Sequence, residues 1–96
     1  MARSLHTAAH RELVSELIAM RKAAGMSQRQ LAAQLGREQN FVARVETGER
    51  RVDLIELAMI CRACGVDAGT GIEKLIRKVL RALPAQTKIA AAKERR

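Results

Sequence analysis

"SQRQLAAQLGREQNFVARVETGE", residues 27–49, decides how the whole chain is read. Apolar residues recur at helical spacing on both sides of a single glycine. Ser27 followed three positions on by Gln30 is a capping box, and Met26 before it can staple onto Leu31. A helix is therefore expected from about 28 to 35, with Leu31, Ala32 and Leu35 buried. Gly36 breaks it. A second helix, expected from about 37 to 46, anchors through Phe41, Val42 and Val45 and stops at Thr47-Gly48. On a helical wheel this leaves Gln39, Asn40, Ala43, Arg44 and Thr47 on the outer face, a polar row with no packing reason to be there.

Upstream, Leu13, Val14, Leu17, Ile18 and Arg21 recur at helical spacing within a helix expected from about Thr7 to Ala24, with Gly25 as its stop. Downstream, Asp53 and Glu56 make another box-like start, for a helix reaching about Cys64 and stopped by Gly65. Its residues Leu54 to Cys61 are apolar almost all round, so it needs cover on more than one side. Thr70 and Glu73 suggest a third box, followed by Ile72, Leu75, Ile76, Val79, Leu80 and Leu83 in a helix ended by Pro84. Strand signals and internal repeats are absent. The class expected is all-α, a compact bundle of about five helices spanning 7–83, with 84–96 as a basic tail.

At 96 residues the chain can bury one core. With 48% hydrophobic and 29% charged residues it reads as a soluble globular protein. No apolar run approaches the roughly 18 residues of a membrane span, and the N-terminus lacks a secretory pattern, so a cytoplasmic location is expected. A formal charge of +8 and a pI near 10.8 imply an anionic partner, with nucleic acid ahead of a membrane surface. Phe41 is the only aromatic residue. Single-strand and RNA-loop binders stack bases on several rings, so a duplex read from its grooves fits better.

The polar row suits that partner. Side-chain amides pair with adenine N6 and N7, and arginine forks onto guanine O6 and N7. The plainer alternative is a solvated helix face, against which the net charge and the short helix-Gly-helix spacing weigh. Residues 17–67, "LIAMRKAAGMSQRQLAAQLGREQNFVARVETGERRVDLIELAMICRACGVD", resemble the helix-turn-helix domain of the Cro/C1-type, or XRE-type, bacterial regulators. The resemblance rests on Leu17, Arg21, Gly25, Ser27, Gln28, Leu31, Ala32, Gly36, Val42, Glu46 and Gly48, and "GERRVDLIEL" is similar to one common branch.

What the resemblance implies is a lambda-repressor-like fold whose second helix lies across the DNA backbone, with Ser27 and Gln28 near a phosphate. It implies that Gln39, Asn40, Ala43 and Arg44 face bases in the major groove. Arg37, Thr47, Arg50 and Arg51 would contact phosphates. Arg21 and Glu46 match a buried ion pair that is architectural. Glu38 departs from the Ser, Thr or Pro frequent in the family at the start of the recognition helix, which leaves that start open. As an acid near DNA, Glu38 has two uses, accepting from a cytosine N4 or restraining a neighbouring arginine.

Other groupings carry less. Cys61 and Cys64 with His6 and His10 could offer two sulfurs and two nitrogens to zinc. Both cysteines sit inside an apolar helix, where they read as small hydrophobes. The histidines read as exposed polarity, and no metal or cofactor is expected. No serine or cysteine has a placed base and no glycine-rich phosphate loop follows a strand, so an enzyme is not expected. The stripe Ile72, Ile76, Val79, Leu80 and Leu83, with surplus apolar surface at Ile55, Met59 and Ile60, suggests a homodimer; the alternative is that the two stripes satisfy each other within one chain.

The function expected is a dimeric, sequence-specific duplex-DNA-binding repressor acting at an inverted repeat. An antitoxin with a protein partner and a restriction-modification controller remain as variants. A protein-interaction module with an idle third helix is the alternative from another class.

Overall fold

Eight-residue helices are shorter than the ~12–15 residues an isolated helix needs in water, so the segments flanking Gly36 owe their shape to their neighbours. The computed structural model describes residues 7–67 and 69–84. It shows five helices and, among the described residues, no strand: α1 (Ala8–Ala23), α2 (Gln28–Leu35), α3 (Gln39–Glu46), α4 (Leu54–Ala63) and α5 (Thr70–Arg81). The all-α class is as expected, and no helix among the described residues is long and apolar enough to cross a membrane.

The starts follow from side chains that satisfy orphan backbone donors. Ser27 Oγ accepts from the Gln30 N–H at 3.1 Å while Gln30 Oε1 accepts from the Ser27 N–H at 2.8 Å, the reciprocal box that begins α2. Asp53 and Glu56 do the same for α4, at 2.7 and 3.0 Å. Gly36 ends α2 at φ +69°, where the Arg37 N–H reaches Ala32 O and the Gly36 N–H reaches Ala33 O. A side chain there would meet no atom within 4 Å, so the demand for glycine is one of backbone conformation alone.

Two starts differ from expectation. α3 begins at Gln39, later than 37, with Glu38 as an extended N-cap that makes no side-chain capping bond. The left-handed Gly36 turns the chain, and Arg37 and Glu38 are spent completing that turn. α5 is not opened by a Thr70–Glu73 box. Asp67 accepts from the Thr70 N–H at 2.7 Å and from its hydroxyl at 3.2 Å, and these bonds hold the Asp67 carboxyl below its usual range. Glu73 instead accepts from Arg77 one turn on, at 2.6 Å.

The core joins Leu17 of α1, Leu31, Ala32 and Leu35 of α2, Phe41, Val42 and Val45 of α3 and Ile60 of α4. α5 lies on α1 through the buried Leu75, and Lys78 donates to Glu16 at 2.6 Å across that seam. Three sequence expectations are corrected here. Ile60 and Met59 do not stand off the inner face of α4: Ile60 is buried and Met59 packs against the core. His10 is buried rather than exposed, because it extends the Leu13–Leu17–Arg21 face by one more turn. His6 and the tail from 85 onward lie outside the described residues.

Gly71 lies in the first turn of α5, and a Cβ there would overlap the Val66 side chain. In an open helix alanine outranks glycine by about 0.8–1 kcal/mol; here the overlap reverses the sign. Gly71→Ala is expected to lower stability by about 1–3 kcal/mol in urea unfolding. A variant as stable as the parent would mean that α5 does not seat so closely on Val66.

Candidate nucleic-acid interface

The face that α3 turns inward is complete: Phe41, Val42 and Val45 are all buried. Core burial on that side fixes the helix about its own axis, so Gln39, Asn40, Arg44 and Thr47 are exposed on the other, with Ala43 half-buried between them. The row is lightly held. Gln39 Oε1 accepts one long bond from Arg29 Nε, at 3.4 Å. The Asn40 side chain makes no hydrogen bond among the described residues. Arg44 Nε lies 3.7 Å from Glu49 Oε1, both groups well exposed, a pairing that solvent screens. The Thr47 hydroxyl donates to Arg44 O at 3.1 Å and so serves the end of the helix.

Beneath the row sits the Arg21–Glu46 pair. Arg21 Nε meets Glu46 Oε2 at 2.7 Å, one terminal nitrogen meets Glu46 Oε1 at 3.0 Å, and the other donates to Met26 O at 2.8 Å. Hydrogen bonding to Glu46 raises the Arg21 pKa above its ordinary value against the opposing cost of burial. Gln28 joins this network: its amide donates to Glu46 Oε1 at 2.8 Å. It is thus half-buried and turned toward the ion pair, although the resemblance implied a phosphate contact. Ser27 stays exposed at the start of α2, its backbone N–H already taken by Gln30.

The cationic residues divide into two kinds. Arg51 is exposed in the loop after α3, and its carbonyl accepts from Arg50 at 2.7 Å. Arg37 and Arg50 converge from opposite ends of α3 on one carboxylate. Arg50 is bidentate on Glu56 at 2.9 and 2.9 Å, and Arg37 donates to Glu56 Oε2 at 3.3 Å. Both guanidiniums also sit on the Phe41 ring, 4.0 and 4.8 Å from its centroid. Beside them opens a hollow of about 430 Å³, lined by Gly36, Arg37, Glu38, Asn40, Phe41, Arg44 and Arg50. It is a cationic recess adjoining the amide row, with chemistry suited to an anionic, polar surface.

Two contributors escaped the sequence reading. Arg29 orients Gln39, a contact visible only once α2 and α3 are packed. Glu56 was read as a cap alone, since its position in the box gave it a sufficient reason to be there. Cys61 of α4 is buried and Cys64, just after its last residue, is half-buried, and burial pushes both thiols up. Among the described residues no group of three or more His, Cys, Asp or Glu could hold a metal ion.

A family model described as a helix-turn-helix domain matches residues 12–75. Among solved structures, the chain is similar to an XRE-family like protein from Pseudomonas syringae pv. tomato str. DC3000. The two are 39% identical, with 85% of this chain and 95% of that one covered at a TM-score of 0.68. A mutant of the restriction-modification controller protein C.Esp1396I is 22% identical over 72% of this chain and 92% of its own, at 0.64. The clp gene regulator ClgR from C. glutamicum is 20% identical over 79% and 92%, at 0.63. These last two likenesses concern the fold. No curated protein matches the chain.

The Glu56 carboxyl is lowered from 4.5 to about 2, chiefly by its bond from Arg50 and then by the Asp53 N–H. A carboxylate depressed on folding adds stability that is whole above its unfolded pKa and is lost as pH falls toward the folded one. Stability against urea is therefore expected to fall between pH 4.5 and about 2, with a shallower decline in Glu56→Gln. Identical slopes in the two proteins would remove Glu56 from the acid sensitivity.

Proposed function

The chain belongs to the helix-turn-helix family of XRE type, and on that premise we propose that it is a sequence-specific, double-stranded-DNA-binding transcriptional regulator that represses by occupying a promoter. The observation that carries this reading is the exposed row Gln39, Asn40 and Arg44 on a helix whose other side is core. Their side chains carry the donor and acceptor types that pair with base edges, on a helix of a width that the major groove admits. Ala43 leaves room for close approach. Around the row, Ser27, Arg37, Thr47, Arg50 and Arg51 are the phosphate contacts we assign, with Gln28 steadying Glu46. Protein of this kind works in the cytoplasm on bacterial or phage DNA, with no catalytic step.

The reading extends to a homodimer. Leu80 and Ile76 of α5 and Leu83 just beyond its end are 58%, 45% and 38% exposed, with Ile72 and Val79 half-buried beside them, and at the start of α4 Leu54 and Ile55 are 79% and 71% exposed. So much aliphatic surface on a small basic domain supports burial against a second copy. Two recognition helices about 34 Å apart then read an inverted repeat. In this arrangement 7–83 is the binding and dimerisation unit, and 84–96 adds positive charge.

Selection of bound fragments from random duplexes defines the preferred site. On that site Arg44→Ala is expected to cost about 1–3 kcal/mol and to relax preference at one base pair, whereas Arg51→Ala weakens all sequences alike. Equal losses on selected and random DNA for the Arg44 change would reject base reading by it. In sedimentation equilibrium, Leu80→Glu is expected to shift a dimer to monomer while keeping helical content. A parent already monomeric at micromolar concentration, or a variant still dimeric, sinks the α5 interface.

A further inference from the structure

We infer that Glu56 is a positioning residue for DNA binding: from α4, outside the polar row, it fixes Arg37 and Arg50 into one phosphate clamp of single net charge on the Phe41 ring. The inference rests on the DNA-binding reading and goes beyond the expectation of two independent arginine grips.

The geometry carries it. One carboxylate gathers the turn before α3, through Arg37, and the loop after it, through Arg50, and it does so against the ring at the centre of α3's inner face. Arg50 is held by two bonds to Glu56 and one to Arg51 O, so its guanidinium plane is set before any ligand arrives. The Glu56 side chain is 12% exposed, whereas Arg37 and Arg50 are 37% and 35% exposed. An approaching phosphate meets guanidinium edges, while the acid lies behind them. The hollow that these arginines line also takes in Asn40 and Arg44, so a phosphate seated there would lie next to the base-reading row.

Two consequences follow from the charge count. With Glu56 ionised, the three groups sum to one positive charge rather than two, which limits attraction to any DNA whatever its sequence. With the arginines fixed in folding, their ordering is not charged against binding in the correct register. Phosphate contacts set register and orientation on the duplex, so a fixed pair favours the specific complex over the mobile non-specific one.

Glu56→Gln isolates the charge, because glutamine keeps the oxygen that accepts from the Asp53 N–H. The full chain and this variant are titrated with a labelled random-sequence duplex and with the duplex enriched by selection. For the random duplex, the loss of affinity between about 50 and 200 mM salt is expected to be about threefold larger in the variant, as for one more phosphate neutralised. The ratio of selected to random affinity is expected to fall. Parallel salt plots with an unchanged ratio overturn the clamp while leaving the DNA reading intact, and a parent that binds neither duplex rejects both. Should Glu56→Gln lose its far-ultraviolet helical signal, Arg37→Ala carries the test: a lower ratio at full helicity supports the clamp and an unchanged ratio overturns it.

Discussion

The contact that aims the whole surface is the buried fork of Arg21 on Glu46. It ties the last turn of α1 to the last residue of α3, and through Met26 O and Gln28 it also reaches the start of α2. Desolvating two charges consumes most of what their attraction returns, so the pair is a poor source of net stability. Its geometry is the stronger consequence. Aliphatic surfaces tolerate sliding by fractions of a side chain, whereas a bidentate guanidinium–carboxylate contact is directional. Three helices meeting at one such fork hold α3 at a set tilt.

On that frame the division of labour along α3 becomes intelligible. A helix of two turns has little cooperativity of its own, so each inward side chain matters to its existence. Phe41, Val42 and Val45 supply that anchorage and, with Glu46 held by Arg21, leave Gln39, Asn40 and Arg44 free of structural duty. Phe41 does more than fill space: its ring is the floor for two guanidiniums, linking the interior of the domain to its cationic rim.

Much of this was legible in the residues, for reasons that are local. Capping boxes at Ser27–Gln30 and Asp53–Glu56 and the breaks at Gly36 and Gly65 depend on neighbours within a few positions, and these set α2 and α4 closely. The start of α5 was misread because two chemically sound caps, Asp67 and Thr70, lie one turn apart and only packing chooses between them. Burial of His10 could have been foreseen by running the α1 stripe one turn further back. Burial of Met59 and Ile60 could not, since an all-apolar helix does not announce which side faces in. The polar row was readable from periodicity. The engagement of Gln28 with Glu46, of Arg29 with Gln39 and of two arginines with Glu56 needed coordinates, because each joins residues that adjoin only after the helices pack.

The placement of the two cysteines has a practical outcome for watching this molecule move. Cys61 is enclosed by the core and Cys64 half so, and apolar surroundings disfavour both thiolates, the form that reacts. At Cys61 an alkylating reagent must wait for the domain to open. Its labelling rate, followed by mass spectrometry, becomes an intrinsic clock of transient opening, in a chain that has no tryptophan to report by fluorescence.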